Sequence, residues 1–281
     1  MILNLFEILK SVLFGFVEGV TEWLPISSTG HLILLERICW FENVTESFSN
    51  RFEVVIQLGA ILAVVVLYWK KIWPLRRNIK TGTPEIKWST IDLWIKIIVA
   101  CLPAAVIGLL FEDVFDALFY NYVSVAIALI VFGVAFILLE NRNRSLKPKI
   151  RRLSELDLRT TLLIGVFQVL AAVFPGTSRS GATILGALLI GVSRKTAAEF
   201  TFLLAIPVMF GASLLKLVKY GFVFTGAEAV LLLTSMVVAF VVSLLVIRFL
   251  LGYVRKHDFR VFGWYRIVLG AIVLVSAFFL K

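Results

Sequence analysis

The sequence predicts an all-α integral membrane protein: an inverted-topology repeat with six transmembrane spans and two re-entrant helical hairpins. Three observations predict it. The 281-residue chain is 60% hydrophobic and 16% charged, with a mean hydropathy of +0.98; soluble domains are closer to half apolar and a quarter charged. Its apolar runs are continuous rather than alternating, so they read as helices and not as barrel strands. Finally, two segments 150 positions apart echo each other, and both place polar residues in apolar surroundings.

Ten apolar segments follow in order: 2–22, 28–41, 51–69, 91–111, 120–140, 158–174, 180–192, 196–217, 228–251 and 261–280. A helix needs about 20 apolar residues to span a bilayer, and runs of about 10–14 are more often re-entrant. The second and seventh segments are too short to cross. Each follows a break, at Pro25 and at Pro175. Residues 2–41 and 158–192 are therefore expected to be re-entrant hairpins, which leaves six spans, three after each hairpin. The whole chain, 1–281, is expected to be a single membrane domain, with repeat one over about 1–150 and repeat two over about 151–281.

The net charge is +10. On a soluble chain this would suggest nucleic acid; here the cations sit in short loops, where they set orientation. Lys70, Lys71, Arg76, Arg77, Lys80 and Lys87 follow the third segment. Arg142, Arg144, Lys147, Lys149, Arg151, Arg152 and Arg159 follow the fifth, Arg194 and Lys195 the second hairpin, and Arg255, Lys256 and Arg260 the ninth. The alternate loops, with Glu42, Glu46, Arg51, Glu112, Asp113, Asp116, Lys216 and Lys219, are poorer in cations. The basic loops share one side, which the positive-inside rule makes cytoplasmic, with both termini outside. A ten-span chain would satisfy the same charges, so short lengths and polar breaks decide for re-entry. Three crossings separate the hairpins, so the repeats are inverted and the hairpin tips are expected to meet near the midplane. The basic loops 70–90 and 141–157 are expected to lie against the anionic inner leaflet.

Smaller signals fit the same picture. Cys39 and Cys101 have no metal-ligand or disulfide spacing and read as apolar filler. The N-terminus has no basic n-region or small-residue cleavage site, so mature protein is expected there rather than a signal peptide. Trp23, Trp69, Trp73, Trp88 and Trp94 read as an interfacial belt, and Arg248 and Arg266 as snorkelling side chains without a role.

The chemistry is concentrated at the two breaks. The first reads Glu18-Gly-Val-Thr-Glu22-Trp-Leu-Pro25-Ile-Ser27-Ser28-Thr29-Gly30-His31. The second reads Pro175-Gly-Thr177-Ser178-Arg179-Ser180-Gly181-Ala-Thr183. A shift of 150 aligns Gly15 with Gly165, Pro25 with Pro175 and Ser28 with Ser178. Polar breaks at matching places of two halves point to a binding site made from discontinuous helices. Each tip opens a helix with hydroxyl residues and glycine, and helix N-termini favour anions. Arg179 adds a planar cation matched to phosphate or carboxylate. Glu18 and Glu22 share a helix face. Two carboxylates beside an anion need either a bridging divalent cation or a division into acid and base. Ser28, with His31 and Glu22, has the make-up of a nucleophile with a base and an orienter.

Each residue also has a plainer reading. The hydroxyls Ser27, Ser28, Thr29, Ser178 and Ser180 suit helix caps, His31 suits an inter-helix hydrogen bond, and Arg179 with Glu22 suits a structural ion pair. Glu53 and Gln57, one turn apart, suit either the same cavity or a buried inter-helix contact. The clustering at two symmetric breaks favours function, because ionisable groups at that depth are costly.

These motifs, together with Phe52-Glu53-Val-Val-Ile-Gln57-Leu-Gly59, resemble the bacterial undecaprenyl-diphosphatase family, also called bacitracin-resistance proteins. The likeness runs over essentially the full length. It implies a multi-pass phosphatase of the bacterial cell (inner) membrane, with an active site open to the outer face. Its substrate would be undecaprenyl diphosphate, cleaved to undecaprenyl phosphate and inorganic phosphate. That reaction recycles the lipid carrier for wall synthesis and confers bacitracin resistance. The resemblance implies a divalent metal, Mg or Ca, and a homodimer. It makes Glu18 and Glu22 the metal-holding or proton-handling pair and Ser28 the nucleophile, assisted by His31. Arg179 would hold the phosphate, helped by Ser27, Thr29, Ser178, Ser180 and Thr183. Whether Ser28, His31 or water attacks stays open at this level.

Two rival functions share some of these features. A transporter also uses inverted repeats with broken helices, but has no need of a Ser28, His31 and Glu22 cluster. A two-histidine lipid phosphatase would need a second histidine, and the one other, His257, falls in an expected cytoplasmic loop.

Overall fold

The computed structural model describes residues 4–42, 44–77 and 82–279. Lys80 and the side chain of Glu112, both placed in loops above, lie outside the described part. Among the described residues the chain forms ten α-helices, one for each apolar segment: α1 (Leu5–Thr21), α2 (Ser28–Cys39), α3 (Glu46–Ile72), α4 (Trp88–Phe119), α5 (Tyr122–Asn143), α6 (Leu158–Val173), α7 (Arg179–Ile190), α8 (Arg194–Tyr220), α9 (Gly226–Tyr253) and α10 (Arg260–Phe279). Their starts follow from residue chemistry. Asn4, Thr45, Asn121, Asp157, Ser193 and Thr225 each accept a hydrogen bond from a first-turn N–H, satisfying donors that the helix itself leaves free.

Five helices are long and apolar enough to cross a membrane: Glu46–Ile72, Trp88–Phe111, Tyr122–Asn143, Arg194–Tyr220 and Gly226–Tyr253. The outward side chains of these helices are apolar; Leu109, Leu110, Leu138, Leu233 and Leu245 are all well exposed. In water such a surface would be untenable, and in lipid it is ordinary. The fold is thus an all-helical integral membrane protein.

Two pairs of shorter helices, α1 with α2 and α6 with α7, complete the bundle. The start of α1 and the end of α2 lie together, with Lys10 Nζ donating to the Trp40 carbonyl at 2.8 Å. The approach to α6 and the end of α7 do likewise, with Lys149 N donating to the Gly191 carbonyl at 2.8 Å. α1 packs on α9 and α6 packs on α4. Both contacts bring backbones together at a glycine. A Cβ on Gly15 would collide with the Ser235 carbonyl, and one on Gly165 with the Ala100 carbonyl. Small residues are what permit such approaches between membrane helices.

Three expectations are corrected. Residues 75–86, expected as plain polar loop, contain an antiparallel ribbon of β1 (Leu75–Arg77) and β2 (Pro84–Ile86). Arg76 and Glu85 face each other across it and pair at 3.1 Å, a favourable cross-strand match. Trp23 is not interfacial: it is 0% exposed and packs edge-on against Phe202 in the main core, because the chain break carries it into the bundle. Arg266 does not snorkel. It is 0% exposed, and all its described bonds go to backbone carbonyls at the two breaks and on α5.

Candidate active site

The two breaks meet, and they do so through matched local structures. Ser27 and Ser178 are the two described non-glycine residues with positive φ, 75° and 71°. Each accepts a hydrogen bond from the N–H three residues on, Gly30 N at 3.3 Å and Gly181 N at 3.2 Å. These contacts cap α2 and α7. The left-handed backbone costs energy for a non-glycine residue, and the cap helps offset it. The structural counterpart of Ser178 is therefore Ser27, not Ser28 as the shift of 150 aligned it; one residue has slipped between the proline and the cap.

Glu22 is the hub. Ser28 Oγ donates to Glu22 Oε2 at 2.9 Å. Arg179 Nη2 meets Glu22 Oε1 at 3.2 Å across the junction, with the two side chains 12% and 8% exposed. Ser180 Oγ donates to the Glu22 carbonyl at 3.1 Å and lies 3.1 Å from Ser178 Oγ. Arg179 Nη1 is fixed on the Thr201 carbonyl at 3.0 Å, while its Nε is buried without a partner. Glu18 is 0% exposed, and neither carboxylate oxygen has a partner. Thr177 Oγ1 is likewise buried and unpartnered. Buried polar atoms are normally satisfied, so this cluster of orphans marks a place built for something else.

Not every expected group faces this centre. His31 is not bonded to Ser28. Its Nδ1 meets the Ser27 carbonyl at 2.7 Å and its Nε2 meets Tyr265 Oη at 2.7 Å, with the two rings stacked. A carbonyl only accepts, so Nδ1 carries the proton, and in the neutral ring Nε2 accepts from Tyr265. Thr183 is fully buried and spends its hydroxyl on the Arg179 carbonyl and on Thr201 Oγ1 of α8, both at 2.9 Å. His257 sits at the far end of α9 against the Tyr253 carbonyl.

Ser28 and Thr29 open onto a cavity of about 860 Å³, also lined by Glu36, Glu53, Gln57 and Tyr120. Glu53 and Gln57 thus belong to the cavity, and Tyr120 Oη donates to Glu53 Oε2 at 3.3 Å. Among the described residues no cluster of three or more His, Cys, Asp or Glu stands ready for a metal. Of the two carboxylates expected to hold a metal, Glu18 is buried with both oxygens unpartnered and Glu22 is engaged by Ser28 and Arg179; oxygen donors of this kind suit an ion of the Mg or Ca type.

Sequence reasoning missed Glu36, Tyr265 and Arg266. Glu36 had a signal: Ser28, Leu32 and Glu36 recur at helical spacing and all line the cavity. Tyr265 and Arg266 had none, since their partners are remote in the chain: His31 for Tyr265, and Pro25, Gly176 and Thr177 for Arg266.

A break-centred cluster of carboxylates, hydroxyls and a guanidinium, enclosed by apolar helices, defines a polytopic membrane protein with a polar site in its interior. The profile of the family described as Bacitracin resistance protein BacA matches residues 11–272. The chain belongs to that family. It is similar to an undecaprenyl-diphosphatase of Desulfitobacterium hafniense, 60% identical over 96% of both chains. It is also similar to undecaprenyl-diphosphatase 1 of Clostridium acetobutylicum, 58% identical over 96% of this chain and 97% of the other. An undecaprenyl-diphosphatase of Enterococcus faecalis is 55% identical over 98% of this chain and 99% of its own.

Proposed function

We propose that this chain is an undecaprenyl-diphosphate phosphatase: it hydrolyses undecaprenyl diphosphate to undecaprenyl phosphate and inorganic phosphate, and so recycles a wall-polymer carrier and confers bacitracin resistance. Its relatives carry that name over nearly the whole chain. The observation that carries the mechanism is the Ser28–Glu22–Arg179 chain of contacts, which reaches the cavity through Ser28.

In this reading Arg179 exchanges its contact with Glu22 for the terminal phosphate, using Nη2 and the unpartnered Nε. A planar fork on a phosphate is the better-matched pairing. Glu22 is thereby freed to accept the Ser28 proton. Ser28 Oγ attacks the terminal phosphorus, the bond to the bridging oxygen breaks, and undecaprenyl phosphate leaves with that oxygen. Glu22 passes that proton to the oxygen of the departing phosphate; water then cleaves the phosphoserine, losing a proton to Glu22, which returns it to Ser28 Oγ as the P–O bond breaks. The N-termini of α2 and α7 and the hydroxyls of Ser27 and Thr29 supply donors for the charge that spreads over the transferring group, and Ser178 and Ser180 join them by turning their O–H groups from each other and from the Glu22 carbonyl. A capping oxygen still has its own O–H to give. His31 holds the Ser27 carbonyl, and with it the turn that presents Ser28. Thr183 steadies Arg179 through its carbonyl. Glu18 and Glu22 would hold a divalent Mg or Ca ion; when bound, it would neutralise charge on the diphosphate.

The topology belongs to the same proposal. α1–α2 and α6–α7 act as re-entrant hairpins, and α3, α4, α5, α8, α9 and α10 as six spans. The two halves, about 1–150 and 151–281, form inverted repeats within one domain. Support comes from the paired caps, the matched α1–α9 and α4–α6 contacts and the segregation of loop charge. The cavity then opens to the outer face of the inner membrane, away from the basic loops. A homodimer, implied by the resemblance, is testable by cross-linking in native membranes.

The deciding assay is phosphate release from a polyprenyl diphosphate in detergent, with and without chelator. Turnover that chelator stops and Mg or Ca restores is expected. Movement of substrate across liposomes without release of phosphate overturns the enzyme reading.

A further inference from the structure

A second cavity, of about 490 Å³, lies at the opposite end of the helices that frame the first. Glu53 lines one and Lys70 the other; along α3 they are about 25 Å apart at the helical rise, close to the thickness of a bilayer's hydrocarbon, about 30 Å. The wall of this second cavity combines the end of α3, the start of α4, the turn at Arg151–Ser154 and the start of α8. Its cations are Lys70, Lys71, Lys87, Arg151, Arg152 and Lys195, against the two acids Asp92 and Glu199.

Those acids are already engaged. Glu199 pairs with Lys71 at 2.9 Å and with Lys195 at 3.6 Å. Asp92 pairs with Lys96 at 2.5 Å. Among the described residues Arg152 pairs with Glu155, at 3.9 Å and mostly in the open. Lys87 Nζ donates to the Lys70 carbonyl at 2.8 Å, so that ammonium is held on a neutral backbone acceptor. α4 begins here without a side-chain cap, and the partial positive charge of its N-terminus has the same sign. Ser89, Thr90 and Ser154 add hydroxyls. Trp69, Trp73 and Trp88 stand exposed near the same helix ends, where aromatic side chains mark the headgroup level of a membrane.

Like charges crowded into a concave wall repel, and a polyvalent anion relieves that repulsion. We propose that this basic cavity is a binding site for the phosphate group of an anionic ligand, distinct from the Ser28 cavity. Two sources share that chemistry: the headgroup of an anionic phospholipid and free inorganic phosphate. Phosphate suits the site better than a carboxylate because it offers more acceptor oxygens to cations arriving from several walls. Basic pockets between membrane helices recognise lipid headgroups by the same means.

The test uses the full chain in detergent. Lysine acetylation, read by mass spectrometry, is compared without ligand, with phosphatidylglycerol, with phosphatidylcholine and with millimolar phosphate. Protection of Lys70 and Lys87 by phosphatidylglycerol alone identifies the headgroup as the source; protection by phosphate alone identifies the free ion. Binding is then measured for a triple variant, Lys70→Gln, Lys87→Gln and Arg151→Gln. A loss on the order of a hundredfold is expected, since each cation near an anionic surface contributes roughly fivefold. A distal triple, Arg142→Gln, Arg144→Gln and Lys147→Gln, removes equal charge outside the cavity and is expected to bind nearly as the wild type. Unchanged thermal midpoints verify that both variants fold. No protection by either anion, or equal loss in the distal triple, overturns the proposal.

Discussion

Glu22 does three things at once: it accepts from Ser28, pairs with Arg179, and its carbonyl receives Ser180. Such a hub makes its neighbours unequal under mutation. Ser28→Ala removes the oxygen proposed to attack and is expected to lower phosphate release by on the order of 10³-fold. Arg179→Lys keeps the charge but loses the planar fork, and a drop of about 10²-fold is expected; full turnover with lysine would count against phosphate holding there. Tyr265 touches only His31 among the site residues, so it acts at one remove. Tyr265→Phe removes the proton that His31 Nε2 accepts and is expected to lower kcat about tenfold at unchanged KM. A change in KM alone would mean that Tyr265 merely shapes the entrance.

Helix breaks are expensive in a membrane, and this protein compensates them from a distance. Arg266 on α10 reaches the Pro25 carbonyl at 3.2 Å, the Gly176 carbonyl at 3.0 Å and the Thr177 carbonyl at 2.8 Å. One side chain thus serves the exposed backbone acceptors of both breaks, which unwound membrane segments must have satisfied by some partner. Arg266→Met keeps most of the bulk but strands those carbonyls. Each costs about 1–3 kcal/mol when left without a donor, so a lower thermal midpoint in detergent is expected, with loss of activity in proportion to unfolding. Glu140 plays a comparable part at the basic end. It is 0% exposed, takes Arg194 Nε at 2.9 Å and accepts from Phe259 N at 3.1 Å. Three elements, α5, α8 and the entry to α10, are joined there.

Across the whole molecule two cavities lie at opposite ends of α3, α4 and α8, one with Glu36, Glu53 and Asp116 against Arg37 and Lys216, the other with six cations against Asp92 and Glu199. That polarity predicts orientation. In a variant with Cys39 and Cys101 replaced by Ser, Val223→Cys is expected to react with a membrane-impermeant maleimide from outside intact cells. Lys147→Cys is expected to react only after permeabilisation, and the reverse pattern would invert the topology. Ten apolar segments became ten helices because hydrophobic runs and polar caps are local properties, readable wherever they fall. The two breaks were also legible, since Pro25, Pro175 and their hydroxyl runs interrupt those segments in the chain itself, and so were the residues that carry the family likeness. What the sequence determined by itself was therefore a helical membrane protein with a doubled polar motif containing Glu18, Glu22, Ser28 and Arg179. Only the tertiary structure decided that Ser28 pairs with Glu22 rather than His31, that Tyr265 and Arg266 serve the breaks, and that Trp23 lies in the core. The physical reason is that hydrogen-bond partners are chosen by distance in space, and α10 meets the two breaks only after some 90 to 240 intervening residues have folded between them.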